Sequence, residues 1–125
     1  MRAWFLPIIL MLGFADPALS RDFNPRKIYQ NASSAVVLIA AFDKAQKSAS
    51  TGTGSIISKD GLVLTNAHVV FNDEKNKPFS SIRIFLKPDQ VTGDLKKDTS
   101  RKFRATLVHY SSSMDLAILN VQDPK

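Results

Sequence analysis

The sequence contains no cysteine. Without thiols the chain can form neither a disulfide framework nor a thiolate zinc site. It has no internal repeat or low-complexity tract, and its long apolar run, Ala3 to Phe14, is shorter than the roughly 20 residues that a membrane-spanning helix needs. These absences leave one small domain, large enough to be held together by its own hydrophobic core.

The first twenty residues have the layout of a secretory signal peptide. Arg2 makes the amino terminus positively charged, and the apolar run follows it. Ala18-Leu19-Ser20 then provides small residues at the positions that a signal peptidase recognises. We therefore expect residues 1–20 to be cleaved and residues 21–125 to be exported, either to the periplasm or out of the cell. A buried helix or an uncleaved anchor is the alternative.

The chain is basic, with a net charge of +6. A positive net charge can indicate that the partner is a nucleic acid, an acidic lipid or another acidic polymer. Here the cations are scattered, and the densest part, Lys96 to Arg104, also contains Asp98. We interpret that part as a solvated loop and expect no nucleic-acid partner.

Six short segments are rich in β-branched and apolar residues and are bounded by turn signals, which predicts strands. They are Ala35–Phe42, Gly54–Ser58, Leu62–Thr65, Ser81–Leu86, Phe103–Tyr110 and Leu116–Val121. Six strands without a long helix indicate an all-β barrel or sandwich. Closure into a barrel would remove the unpaired edges that the strands otherwise expose.

The segments between the strands predict the remaining structure. Asp60-Gly61 is a strong hairpin signal between the second and third strands, because glycine supplies the positive φ of the turn. Arg26 to Ser34 predicts a short helix before the barrel. Lys44 to Thr53 and Lys87 to Ser100 are polar and predict loops.

Two ionisable residues lie at the ends of apolar strands. His68 follows the third strand, where its ring can be held by packing while one nitrogen faces a cleft, and imidazole titrates near neutrality. Asp115, 47 positions later, precedes the last strand. Considered singly, each residue is better interpreted as structural: His68 as a histidine whose hydrogen bonds are made within the fold, and Asp115 as a turn residue. As a pair they suit a base and the carboxylate that orients it. His109, inside an apolar strand, is interpreted as structural.

The segment Gly52 to Val70, with Thr65-Asn66-Ala67-His68-Val69-Val70 at its end, resembles the catalytic-histidine region of HtrA-type (DegP-like) serine proteases. Asp115-Leu116-Ala117-Ile118-Leu119 resembles the catalytic-aspartate strand of the same family. The similarity spans about Arg26 to Val121. It implies the first of the two six-stranded barrels of a chymotrypsin-like protease, with catalytic His68 and Asp115, protein or peptide substrates, and no cofactor or metal.

The chain departs from the family pattern in two respects: it contains no Gly-x-Ser-Gly-Gly segment, and the segments Asn72 to Ser80 and Val91 to Ser100 are longer and more charged than a compact family member needs. Ser55 precedes the histidine and lies in a predicted strand, and Ser111 to Ser113 are interpreted as loop. The resemblance therefore implies that residues 21–125 form the first barrel only, without the second barrel, its serine and its oxyanion hole. We expect the chain by itself to be inactive.

Two other functions remain open at this point. The chain could be an exported, non-catalytic barrel that binds peptides or a protein partner. It could also be a basic adhesion domain that binds acidic polymers, and the net charge is the only support for this alternative. A serine motif encoded downstream would favour the protease. The sequence does not indicate an oligomeric state.

Overall fold

A computed structural model describes residues 23–45 and 49–122. The signal-peptide prediction for residues 1–20 lies outside these residues. The described part of the chain begins with helix α1 and then forms eight strands, two one-turn α-helices and two 3₁₀ turns, Ser33–Ala35 and Asp73–Lys75. Their bounds are α1 Pro25–Ala32, β1 Val36–Phe42, β2 Ala49–Ile56, β3 Leu62–Thr65, α2 Ala67–Val70, β4 Phe71–Asn72, β5 Lys77–Pro78, β6 Ser81–Leu86, α3 Leu95–Asp98, β7 Lys102–Ser111 and β8 Leu116–Gln122.

Six of the strands form a closed antiparallel barrel in the order β1-β2-β3-β8-β7-β6. Strand β1 closes it, because Ile39 is opposite Gly52 of β2 on one side and opposite Ile84 of β6 on the other. Strands β4 and β5 form a separate two-stranded ribbon after α2. The prediction of a six-stranded barrel preceded by a short helix is confirmed.

The barrel interior is filled by aliphatic side chains from alternate strand positions, as the two-residue period of a strand requires. The largest fully buried side chains are Val37, Ile39, Val63, Val70, Ile84 and Leu119. Val70 is the one that does not come from a barrel strand, since it belongs to α2. The core therefore fixes α2 against the barrel as well as the strands against one another.

The loop predicted for Lys44 to Thr53 was wrong at its carboxyl-terminal end. Strand β2 begins at Ala49, and Ala49 to Thr53 pair with Phe42 to Leu38 of β1. These Ala, Ser, Thr and Gly residues carry no apolar signal, and their strand conformation comes from hydrogen bonding to β1. Tertiary pairing thus decides the structure where local propensity is weak.

The predicted β2–β3 hairpin is confirmed, and Gly61 has the expected positive φ of 86°. The loop predicted for Lys87 to Ser100 contains one turn of helix, α3, whose Asp94 side chain accepts a hydrogen bond from the Lys96 backbone. Within the described residues, no helix is both long and apolar enough to cross a membrane.

Candidate active site

His68 lies on α2, the single helical turn that follows β3. Three of the four residues of this turn, Ala67, Val69 and Val70, are buried. His68 is the one that faces outward, and 62% of its side chain is exposed. The apolar residues on either side of His68 therefore anchor the turn and present the imidazole at the surface.

Asp115 ends the turn that joins β7 to β8. Its backbone has a φ of 50°, in the left-handed region that aspartate tolerates better than most residues. Its N–H donates a hydrogen bond of 3.3 Å to the Ser112 carbonyl oxygen. Strand β8 pairs directly with β3, so the start of β8 lies beside the end of β3. Barrel closure therefore brings the aspartate turn next to the histidine turn.

The two predicted site residues are in direct contact. His68 Nδ1 is 2.8 Å from Asp115 Oδ2, and the His68 backbone N–H donates to Asp115 Oδ1 at 3.0 Å. The carboxylate thus holds both the ring and the main chain of the histidine. The bond to the main chain positions the carboxylate, and the bond to Nδ1 orients the ring.

The pKa of Asp115 is held below its ordinary value of 3.8, first by the backbone N–H of His68 and then by the hydrogen bond from its ring. The carboxylate is therefore ionised at neutral pH and can only accept hydrogen bonds. Consequently Nδ1 of the neutral imidazole carries the proton and Nε2 is the free base. Nε2 makes no hydrogen bond within the described residues, so it is available to accept a proton.

Asn66 is part of the site and was not singled out by the sequence reasoning. Its amide Nδ2 donates to the Asp115 backbone oxygen at 3.0 Å and to Oδ2 at 3.2 Å. Asn66 occupies the residue before α2, where asparagine commonly caps a helix, but it makes no such cap. It bonds Asp115 instead. An asparagine two positions before the histidine is the only sequence signal, and a partner 49 residues away cannot be inferred from it.

A close approach of β2 positions α2. A Cβ atom placed on Gly52 would lie 2.5 Å from Cγ2 of Val69, and Val69 is adjacent to His68. The barrel wall thus has room for α2 because residue 52 has no side chain. On the other side of the site, the Phe71 ring packs against Tyr110 of β7 with centroids 5.0 Å apart.

The other residues considered from the sequence do not join this site. Within the described residues His109 makes no side-chain hydrogen bond and is exposed on β7. Ser55 lies on β2 opposite Leu64. Ser111 Oγ lies 3.1 Å from Ser113 Oγ, and neither is bonded to His68. Residues 23–45 and 49–122 contain no group of three or more His, Asp or Glu side chains that could hold a metal ion.

A cleft of about 370 Å³ opens beside the imidazole and is called the His68 cleft below. Phe71 and Phe79 form its apolar part, and Asn72, Asp73 and Glu74 its polar part. The arrangement can therefore place an oriented base at the edge of a groove of the size of one or two amino-acid side chains.

Comparison with known proteins gives a family match. The family described as "Trypsin-like peptidase domain" matches residues 52–125. This range contains both His68 and Asp115.

Curated relatives include "Serine protease HTRA2, mitochondrial" of Drosophila erecta, which is 38% identical over 74 residues, and its counterpart in Drosophila willistoni, which is 36% identical. Each of these matches covers 59% of the chain but only 14% of the relative. The chain therefore aligns with a small part of the relatives' length.

A solved structure, the serine endoprotease from Yersinia pestis, is similar with a TM-score of 0.56 and 26% identity. The superposition covers 76% of the chain and 28% of the protease.

Proposed function

Because the chain belongs to the trypsin-like peptidases of the HtrA type, whose members are serine proteases with a chymotrypsin-like fold, we propose that it supplies the histidine and aspartate of a serine endopeptidase's catalytic centre. The observation that carries this proposal is the 2.8 Å contact between His68 Nδ1 and Asp115 Oδ2. It leaves Nε2 as a free base at the surface of the barrel.

His68 is proposed as the general base and then the general acid. Nε2 accepts the proton of a serine hydroxyl as that oxygen attacks the peptide carbonyl, and later donates it to the leaving amine. Asp115 fixes the tautomer and stabilises the imidazolium that forms between these steps. It stays ionised throughout, in keeping with its lowered pKa. Asn66 is a positioning residue, since it contacts Asp115 and not the reacting atoms.

The serine and the oxyanion donors are proposed to come from a second barrel that residues 21–125 do not include. Residues 1–20 are proposed to direct export and then to be removed, which amino-terminal sequencing of the mature protein from the producing cell would test. The substrates are proposed to be proteins or peptides.

The first test joins residues 21–125 to the carboxyl-terminal barrel of an HtrA-type relative and measures casein hydrolysis. We expect activity, and a loss on the order of four powers of ten in turnover for His68→Ala and for Asp115→Asn. His109→Ala is the matched control, because it removes an imidazole that is not in the site. A chimera that keeps its rate after Asp115→Asn would contradict the assignment of Asp115.

The second test uses residues 21–125 without any fusion. They contain no Gly-x-Ser-Gly-Gly segment, and the serine and oxyanion donors are proposed to lie in the second barrel, so the base by itself has nothing to activate. We therefore expect no casein hydrolysis above background. Turnover that disappears in His68→Ala would contradict this and would show that the chain has a nucleophile of its own.

A further inference from the structure

The His68 cleft carries two carboxylates on a chain that is otherwise basic. Asp73 and Glu74 are exposed, and among the described residues neither side chain forms an ion pair or a side-chain hydrogen bond. The neighbouring cation does not neutralise them, because the Lys75 ammonium is bound to Asp43. The cleft is therefore a locally negative region beside the base of a molecule whose net charge is +6.

A second observation concerns Asn72, which lines the same cleft and is only 6% exposed. Its Oδ1 accepts a hydrogen bond from the Lys75 N–H at 3.1 Å. Its Nδ2 makes no hydrogen bond within the described part of the chain, although no side-chain N or O atom that is wholly buried there lacks a partner. The amide group therefore retains access to the cleft and has donors to offer. Because Asn72 lines the cleft, a ligand bound there can offer an acceptor such as a peptide carbonyl to this amide.

The His68 cleft also has an apolar part. Phe71 and Phe79 are each 9% exposed and are among the residues that line it. A lysine or arginine side chain places its methylene stem along apolar surface and its charge among acceptors. A lysine or arginine side chain therefore matches this cleft, which combines two phenylalanines with two free carboxylates, better than an acidic or a purely aliphatic side chain does.

We propose that the His68 cleft binds a lysine or arginine side chain of a peptide substrate, next to the bond that is cleaved. The proposal rests on the proposed function, since the cleft adjoins His68. Asp73 and Glu74 pair with the cation, and Asn72 Nδ2 donates to a backbone carbonyl of the peptide. The protein would then belong with endopeptidases that prefer a basic residue near the scissile bond.

The first test measures binding and needs no catalysis. The protein is titrated with acetyl-Ala-Ala-Arg-Ala-Ala-amide and with the same peptide carrying glutamine in place of arginine, and amide shifts are followed by NMR. The arginine peptide should bind more tightly by about twofold to fivefold for each carboxylate that it meets, as expected for exposed ion pairs. The shifts should include the Asn72 side-chain amide. In about 1 M salt, where the Debye length is about 3 Å, the preference should disappear.

Matched variants assign the preference to residues. Asp73→Asn and Glu74→Gln remove one charge each with little change of shape, and each should reduce the ratio of the two affinities by about twofold to fivefold. Asp89→Asn removes a carboxylate whose side chain is 98% exposed outside the cleft, and it should leave the ratio unchanged. Equal binding of the two peptides, or a ratio that survives the double variant, would overturn the proposal.

Asn72→Asp tests the donor separately. Aspartate keeps an oxygen for the Lys75 N–H and so preserves the turn, but at neutral pH it has no side-chain N–H to donate. The uncharged glutamine peptide should then bind more weakly, whereas for the arginine peptide the added negative charge offsets the loss of the donor. Unchanged binding of the glutamine peptide, in a variant that unfolds at the same temperature as the original protein, would overturn the role of Asn72.

The chimera separates this proposal from the proposed function. An active chimera that cleaves arginine-containing and glutamine-containing peptides with equal kcat/KM would overturn the basic-residue preference and leave the endopeptidase intact. A folded but inactive chimera whose barrel still prefers the arginine peptide would overturn the endopeptidase assignment, and the cleft would remain a peptide-binding site. Preferential cleavage beside arginine that is lost in Asp73→Asn/Glu74→Gln would support both.

Discussion

Three side chains define the chemistry at the scale of single residues. Asp115 accepts from the His68 ring, the His68 backbone and the Asn66 amide, at distances of 2.8 to 3.2 Å. Charge-assisted hydrogen bonds of this kind are stronger than neutral ones. Together they lower the pKa of the carboxyl group, and they determine which imidazole nitrogen carries the proton.

The lowered pKa of Asp115 predicts a pH-dependent contribution to stability. A carboxyl group whose pKa is lower in the folded state stabilises the fold at pH values above its unfolded pKa, near 3.8. That contribution is lost as the pH falls through the folded pKa. Asp115→Asn should therefore lower the free energy of unfolding at pH 6, and the difference from the original protein should shrink towards pH 3. Urea unfolding at the two pH values measures it.

The same carboxyl group can be followed directly by carbon-13 NMR. In His68→Ala its pKa should rise, because the ring no longer donates to it. The rise should stop short of the ordinary value, because the backbone N–H of residue 68 remains. His109→Ala is the control and should not shift the titration. If the two alanine variants titrate alike, the ring of His68 is not the partner of Asp115 in solution.

At the scale of elements, the site depends on how closely α2 approaches β2. A Cβ on Gly52 would meet the Val69 side chain at 2.5 Å and 2.9 Å, distances that packed atoms do not reach. Val69 is buried, and a β-branched side chain has few other rotamers on a helix. The absence of a side chain at position 52 therefore determines where α2, and with it His68, can lie.

Gly52→Ala should consequently disturb the site as well as the fold. Overpacking of this kind costs on the order of 1–3 kcal/mol in the free energy of unfolding. Adding Val69→Ala should recover part of that loss, because it removes the atoms that clash. Urea unfolding of the two single variants and the double variant gives the coupling energy.

Ser55→Ala on the same strand is the control, since Ser55 is exposed and a substitution there should cost no more than about 0.5 kcal/mol. Strictly additive effects of Gly52→Ala and Val69→Ala would show that the two positions do not meet.

At the scale of the whole molecule, the barrel leaves an apolar groove on its outer wall. The groove lies between α1 and strands β1 and β6 and has a volume of about 550 Å³. Its lining includes Ile28 and Tyr29 of α1 and Val36 and Leu38 of β1, all of which are substantially exposed. Contiguous exposed apolar surface of this kind binds apolar ligands and lowers solubility.

We therefore expect the folded protein to bind the fluorescent dye ANS. Leu38→Ser should reduce the fluorescence, because Leu38 is 43% exposed and lines the groove. Val91→Ser is the control: Val91 is 73% exposed but lies outside the groove. Equal fluorescence in the original protein and both variants would show that the dye binds elsewhere.

The sequence by itself determined most of the barrel and the identity of the candidate pair. Apolar runs such as Ala35–Phe42 and Leu116–Val121 predicted their strands, because burial on the barrel interior selects β-branched and aliphatic residues. Asp60-Gly61 predicted its hairpin, because the turn demands a positive φ. His68 and Asp115 were found from their flanking residues, which belong to a specific family motif.

Only the tertiary structure decided which of these strands and site residues contact one another. The amino-terminal half of β2 is a strand because β1 lies beside it, although its Ala, Ser, Thr and Gly residues form no apolar run. Asn66 reaches Asp115 across 49 positions, and Asp73 and Glu74 meet His68 in one cleft. These contacts depend on barrel closure and chain reversal, which bring together residues that local patterns treat separately.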